Sequence, residues 1–179
     1  IHLEHKLKMN RDEVIDAAVK NVAVVKNSGV QVEFSAEDAC RSDPEYLIKI
    51  FQAVSDAGAD RIDIADTVGI MNPTTMFDLV SKVKDKIKIP ISMHCHNDFG
   101  LATANSLAGM TAGAERIHVV INGLGERAGN AALEEVVMAA HNLYQRETTI
   151  NTKLINETSQ LITRLTALSY THLTLPTKA

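Results

Sequence analysis

Cysteine is scarce in this chain. Cys40 and Cys95 are the only two in 179 residues, too few for the disulfide framework of a small secreted domain, so a reducing cytoplasm is the default setting. Positive charge is short as well: the formal net charge is −4 and no Lys/Arg cluster stands out, which argues against nucleic acid as a partner. No apolar run approaches the roughly 18 residues that a membrane span needs. The first ten residues, IHLEHKLKMN, lack the apolar centre of a signal peptide. What remains, 45% hydrophobic and 22% charged, suits one soluble globular unit with enough apolar content for a core.

The chain reads as alternating helices and strands. Asn10 with Glu13 three residues later marks a helix start. Val14, Ala18, Val22 and Val25 recur at helical spacing until Asn27-Ser28-Gly29 closes the helix. Val30–Glu37 follows as a strand, with Val32 and Phe34 on one face and Glu33, Ser35 and Glu37 on the other. Asp43-Pro44 opens a second helix that ends at Ala57-Gly58-Ala59. Arg61–Asp66 is the next strand, and Asn72-Pro73 opens a third helix. Ile89–His96 is the third strand, with a helix from about Leu101. Arg116–Asn122 is the fourth, leading through a glycine-rich loop to a helix over Asn130–Tyr144. AGADRIDI at 57–64 and AGAERIHV at 112–119 echo each other. Each is a glycine-closed helix feeding a strand, and units of roughly 30 residues imply parallel strands with helices outside.

Within these strands the polar residues gather on one face: Glu33, Ser35 and Glu37; Asp63 and Thr67; Ser92, His94 and His96; His118 and Asn122. A doubly wound sheet is covered on both faces and its strands are nearly all apolar. Polar side chains at the C-terminal ends of successive parallel strands suit a barrel, which builds its active site there. Four strands are half of what a (β/α)8 barrel of roughly 250 residues requires.

SMHCHNDFGLA (92–102) is the sharpest local signal. Alternation sends His94 and His96 to one face and Cys95 to the other. A lone inward histidine is more often a hydrogen-bonded core group than a ligand, but two neutral imidazoles on one face can share an ion. His118, lower in its strand, reads as a satisfied interior group, and His2, His5 and His141 as surface residues. NGLGERAGNAALEE (122–135) is neither a P-loop nor a dinucleotide fingerprint. Taken alone it is a turn with glycines at positive φ and Asn130 capping a helix. Both cysteines read as small apolar residues.

Together SAEDACRSD, DTVG, HCHNDFGLATANSLAG and INGLGERAGNAALEEVV resemble the catalytic barrel of the 2-isopropylmalate, citramalate and homocitrate synthase family, from Ile1 to about Leu165. The archaeal type of 2-isopropylmalate synthase is the most similar branch. The resemblance implies a site residue by residue. His94 and His96 would ligate a divalent cation (Mn, Zn or Mg), with the Asn130 side-chain oxygen as a further contact. Ser35 and Thr67 would bind substrate, Thr67 holding the carboxylate of the 2-oxo acid. Glu37 would belong to the acid/base network. Acetyl-CoA and a 2-oxo acid, chiefly 2-oxoisovalerate in leucine biosynthesis, would be the substrates of a cytoplasmic, homodimeric parent enzyme. The cation would polarise the ketone, and the enolate of acetyl-CoA would attack it before thioester hydrolysis.

The family pattern also has an Arg-Asp pair on its first strand, and no such motif occurs in this sequence. The expectation is therefore an α/β fold comprising strands five to eight of an incomplete (β/α)8 TIM barrel over residues 1–168, inactive or nearly so by itself. SYTHLTLPTKA (169–179) departs from the family, resembles one reading frame of a transposon-type sequencing adapter, and is read as a non-native tail. Two other readings stay open: an acyl-CoA lyase or hydroxy-oxo-acid aldolase on the same barrel, and a non-catalytic metal-binding fragment.

Overall fold

A computed structural model of the chain describes residues 2–168; the tail expected from Ser169 lies outside them. A π-helical segment, His2–Leu7, precedes α1 (Arg11–Lys26), β1 (Glu33–Ala36), α2 (Pro44–Asp56), β2 (Arg61–Asp66), α3 (Pro73–Lys86), β3 (Ile91–Cys95), α4 (Ala102–Thr111), β4 (Arg116–His118), α5 (Leu133–Tyr144) and α6 (Ile155–Thr166). The four strands form one parallel sheet in the order β1-β2-β3-β4.

Local chemistry sets most boundaries. The Asn10 side chain accepts from the amides of Asp12 and Glu13, and Glu13 reciprocates on the amide of Asn10, so two orphan donors of α1 are satisfied at once. Asn72 caps α3 and Pro73 sits at its first turn, where a missing N–H costs nothing. The echo between 57–64 and 112–119 turns out to be structural. Gly58 (φ +101°) and Gly113 (φ +111°) end their helices in the left-handed region. The next residue then bonds back in each, Ala59 N to Val54 O and Ala114 N to Gly109 O, both at 3.0 Å. The acid that follows caps the start of the preceding strand: Asp60 accepts from Val32 N at 2.7 Å and Glu115 from Ile91 N at 2.8 Å. Each acid also pairs with a lysine of the helix before the strand it caps, Lys26 of α1 or Lys84 of α3.

The core lies between sheet and helices. Leu47, Ile50, Phe51 and Val54 form a buried stripe along α2, at the spacing of one helix face. They pack with Ile62, Ile64, Ile91, Met93 and the α3 residues Met76, Val80 and Val83. Phe51 is fully buried and meets Phe34 edge to face, with ring centroids 6.4 Å apart. Cys95 also belongs to this layer, and burial pushes its thiol up to about 12, in keeping with a packing role.

Several boundaries move. β1 covers Glu33–Ala36 rather than Val30–Glu37, β3 covers Ile91–Cys95 rather than Ile89–His96, and β4 stops at His118. Beyond it, Val120 makes only an isolated bridge to Ala132, and Asn122 sits in a 3-10 turn with φ +61°. There its side chain accepts from Ser159 Oγ at 2.5 Å, docking α6 against the turn. Asn130 does not cap α5: the helix starts at Leu133 behind Ala132, and Asn130 bridges back to His96. Among the described residues β1 and β4 have free edges, and a cavity of about 930 Å³ flanks β4.

Replacing Phe51 by alanine should lower the unfolding free energy by about 3–5 kcal/mol, the usual cost of emptying a buried phenylalanine site. The measurement is the urea midpoint at unchanged m-value; a shift of a few tenths of a kcal/mol would show that α2 is not anchored there.

Candidate functional site

Register decides which side chains meet. Ser35 lies beside Asp63, Asp63 beside Ser92, and the row Ala65–His94–His118 runs across three strands. The face away from the helices therefore carries a connected polar layer. Ser35 Oγ donates to Asp63 Oδ2 at 2.5 Å, and Ser92 Oγ to Glu33 Oε2 at 2.7 Å. His118 Nε2 lies 3.0 Å from Glu33 Oε1, while its Nδ1 is 3.8 Å from Asp63 Oδ1. His118 has the acidic partners expected of it, but its side chain is 37% exposed and lines the cavity beside β4, so it is not the interior group that its position in the strand suggests. Asp63 is 2% exposed and its Oδ1 has no hydrogen-bond partner. Burial pushes its carboxyl above the usual range, although the Ser35 bond pulls the other way.

At the C-terminal end of β3 the ring nitrogens converge. His94 Nε2 and His96 Nε2 are 3.2 Å apart, and Asn130 Nδ2 is 3.0 Å from His94 Nε2. A neutral imidazole nitrogen has one in-plane lone pair, yet two neighbours crowd the one on His94. Burial, then the neighbouring His96 and His118, holds His94 below its ordinary value, which favours the neutral ring. His96 is 5% exposed and its Nδ1 is buried without a partner. Two nitrogens bonded at about 2.1 Å to one ion lie about 3.0 Å apart at 90° and about 3.4 Å apart in a tetrahedron. The observed 3.2 Å falls between, so the spacing of the two nitrogens is compatible with a shared cation. Two imidazoles and an amide meet here, and the exposed Glu126 carboxylate stands 3.9 Å from His96 Nε2; no group of three His, Cys, Asp or Glu able to hold an ion occurs among the described residues.

The loop after β4 carries Asn130 to this point. Asn97 N bonds Gly129 O at 2.8 Å and Ala131 N bonds Cys95 O at 3.1 Å, so the loop runs beside the end of β3. Gly125 is required underneath: a Cβ there would stand 1.8 Å from Asn130 Oδ1. At Gly129 (φ +93°) a Cβ would meet Gly123 O at 2.1 Å.

Not every expected residue joins the cluster. Glu37 lies in a separate cleft of about 380 Å³ that it shares with Ser35, His2 and Arg11. Its carboxylate is bound by Lys6 at 2.6 and 2.9 Å, which holds it below the ordinary range. Thr67 sits past β2, where its Oγ1 accepts from Asp38 N at 2.8 Å. His2, expected at the surface, is partly covered and lies 3.4 Å from Asp38. Overlooked in the sequence was an ion pair between loops: Arg127 Nε and NH2 contact Asp98 Oδ1 and Oδ2 at 2.7 and 2.9 Å, and NH2 also donates to Thr67 O at 2.7 Å. Asp98 lies just past HCHN and Arg127 within GERAGN, so only their place beside the two motifs marked them.

A profile of the HMGL-like family matches residues 1–162. Among curated proteins, the chain is 52% identical to a probable 2-isopropylmalate synthase of Methanopyrus kandleri, covering 93% of this chain and 33% of that one. It is 53% identical to the 2-isopropylmalate synthase of Methanocaldococcus jannaschii (93% and 32%). It is 50% identical to a putative (R)-citramalate synthase of Methanothermobacter thermautotrophicus (93% and 33%). The chain thus spans about a third of the length of these relatives. Among solved structures it superposes on the HMG-CoA lyase of Bacillus subtilis with a TM-score of 0.84 at 16% identity, over 96% of this chain and 62% of that one. The Pseudomonas aeruginosa hydroxymethylglutaryl-CoA lyase gives 0.81 at 18% identity, over 94% and 60%. These neighbours bear out the parallel α/β architecture of TIM-barrel type. The placement in a C-terminal half is corrected: the chain matches the N-terminal part of its relatives, and strand numbers five to eight are dropped.

Two substitutions test this geometry. Gly125→Ala should leave the fold intact but rotate the Asn130 amide off His94, read as a change in the His94 imidazole ¹⁵N shifts; unchanged shifts would mean the amide has room to stay. Asp63→Asn should stabilise the protein near neutral pH, since it removes a buried charge while keeping an acceptor for Ser35. Because burial raises the folded carboxyl above 3.8, the charge penalty is present above the folded value. The advantage of the amide must therefore fade as pH falls through that value toward 3.8 and below; an advantage that grows in acid would refute it.

Proposed function

The chain belongs to the HMGL-like family, and on that premise we propose that it supplies the metal-holding part of an acyltransferase site joining acetyl-CoA to a 2-oxo acid. The finer reading, 2-oxoisovalerate converted to 2-isopropylmalate, draws on the names of the Methanopyrus and Methanocaldococcus relatives. The citramalate synthase relative keeps a smaller 2-oxo acid as the alternative. A cytoplasmic, homodimeric enzyme, with residues 1–168 as its catalytic-barrel portion, belongs to the same proposal. Of the membrane, the structure says only that no helix among the described residues is long and apolar enough to cross one.

The observation that carries this reading is the pair of Nε2 atoms 3.2 Å apart with the Asn130 amide against them. His94, His96 and Asn130 would hold a divalent cation, Mn, Zn or Mg, which when bound supplies Lewis-acid polarisation of a ketone oxygen. Asn130 would do so after an amide turn that presents its oxygen, an orientation set by hydrogen bonding. Thr67 Oγ1 accepts from Asp38 N and still has a proton to donate to a substrate carboxylate. Ser35 spends its proton on Asp63 and offers lone pairs to a donor. Glu37 is held ionised by Lys6. A carboxylate below the ordinary range is a weak base, so Glu37 orients or relays a proton once Lys6 lets go.

Cobalt(II) titrated into the full chain should give a visible absorption spectrum that His94→Ala and His96→Ala each abolish. A wild type that gives no such spectrum ends the metal reading. Thiol release from acetyl-CoA, with 2-oxoisovalerate, pyruvate or 2-oxoglutarate, should stay near background for these residues alone, because the acidic ligand and arginine of the family pattern are not among them. Turnover of about 1 s⁻¹ or more would show that the site needs neither.

A further inference from the structure

We propose that Arg127 is a positioning residue: its guanidinium locks three strand-end loops together so that Asn130 faces the His94–His96 pair. The proposal rests on the reading of that pair as a metal site. One fork of Arg127 takes both oxygens of Asp98, two residues past His96, and the carbonyl of Thr67 at the end of β2. Arg127 itself belongs to the loop that delivers Asn130 three residues later. The guanidinium therefore ties the loops after β2, β3 and β4 at one point.

Three features separate this from an ordinary surface pair. Arg127 adopts φ +56°, a region that a non-glycine side chain enters at a cost and that persists where surroundings demand it. The loops it joins also approach closely through backbone, since a Cβ at Gly69 would lie 3.0 Å from both Asp98 N and His96 O. Residues 125–128 are otherwise an exposed loop tip, where Glu126 comes no nearer to His96 than 3.9 Å, so the Arg127 fork is the tip's tight side-chain tie to the neighbouring loops. The two side chains are 44% and 23% exposed, and pairs so wet add little to stability. A planar bidentate fork fixes direction far better than it fixes energy. Its yield is thus the aim of Asn130, and through Asp98 the end of β3, and not the melting point.

The test is cobalt(II) affinity and spectrum of the full chain, with far-UV circular dichroism and thermal melting alongside. Arg127→Lys keeps the charge and loses the fork; Asp98→Asn keeps the shape and loses the charge. Each should weaken cobalt(II) binding about 10- to 100-fold, the usual range for partners behind a metal ligand, and alter the spectrum, with melting nearly unchanged. The double variant should be no weaker than the worse single one, since both act through one device. Lys49→Gln breaks the exposed Lys49–Asp12 pair at 2.8 Å, far from the site, and should leave cobalt(II) untouched. Wild-type affinity and spectrum in both single variants would overturn the positioning role while the metal reading stands. Equal weakening by Lys49→Gln, or weakening only in step with lost melting temperature, would overturn it as well. No cobalt(II) spectrum in the wild type would remove both readings together.

Discussion

The arrangement turns on one seam, where the loop after β4 folds back along the end of β3. Asn97 N to Gly129 O, Ala131 N to Cys95 O and the His96–Asn130 bridge close it. Without those bonds Asn130 would lie on an exposed loop, and His94 and His96 would face one another alone. The seam is backbone chemistry, so its position does not depend on side-chain choice. What depends on sequence is the room inside it. Gly125 and Gly129 leave space that a Cβ would fill, with Asn130 Oδ1 and Gly123 O as the colliding atoms.

The sheet behind the seam is built against ordinary stability. Its helix side is an aliphatic core, while its other side buries Asp63 and Ser92 and sets Glu33 and His118 beside them. Burying a carboxylate is costly unless it is paired, and here one Asp63 oxygen is left without a partner. The offsetting contribution comes from the opposite face, where Phe51, Ile62, Ile64 and Met93 are wholly buried. A fold accepts such a layer where chemistry requires polar groups in place, as at the strand ends of barrel enzymes.

Much of this was legible from residue spacing, for physical reasons. Asn10-x-x-Glu13 announced a capping box, and the box is present. The echo AGADRIDI/AGAERIHV announced two equivalent glycine-closed helices feeding strands; that the acid of each caps a neighbouring strand and pairs with a distant lysine is visible only in the structure. Period-two alternation put His94 and His96 on one face. Asn130 was misread as a helix cap by local rules, because its partner is a strand 34 residues earlier in the chain and no local rule sees that distance. Asn122 failed similarly: it looked like the end of a strand, yet its bonds run to α6. Glu37 and Thr67 alternate with the site residues but sit past the ends of their strands, where alternation no longer governs direction.

Glu37 marks where geometry and the proposed chemistry pull apart. Its partner Lys6 comes from the π-helical segment at the start of the described chain, and His2 of that segment lies against Asp38. The segment thus lines the cleft that Glu37 shares with Ser35 and Arg11. A proton can pass through Glu37 only if Lys6 withdraws, since an ammonium at 2.6 Å stabilises the carboxylate and opposes its protonation. Both side chains are more than half exposed, so water competes for them and withdrawal is inexpensive. The His94–His96–Asn130 cluster is different: it is largely buried and seamed by backbone, with only the Asn130 amide left to turn. One end of the proposed site is therefore preorganised and the other adjustable, which is the division expected when binding is set by a rigid centre and proton movement by a group that must change partners.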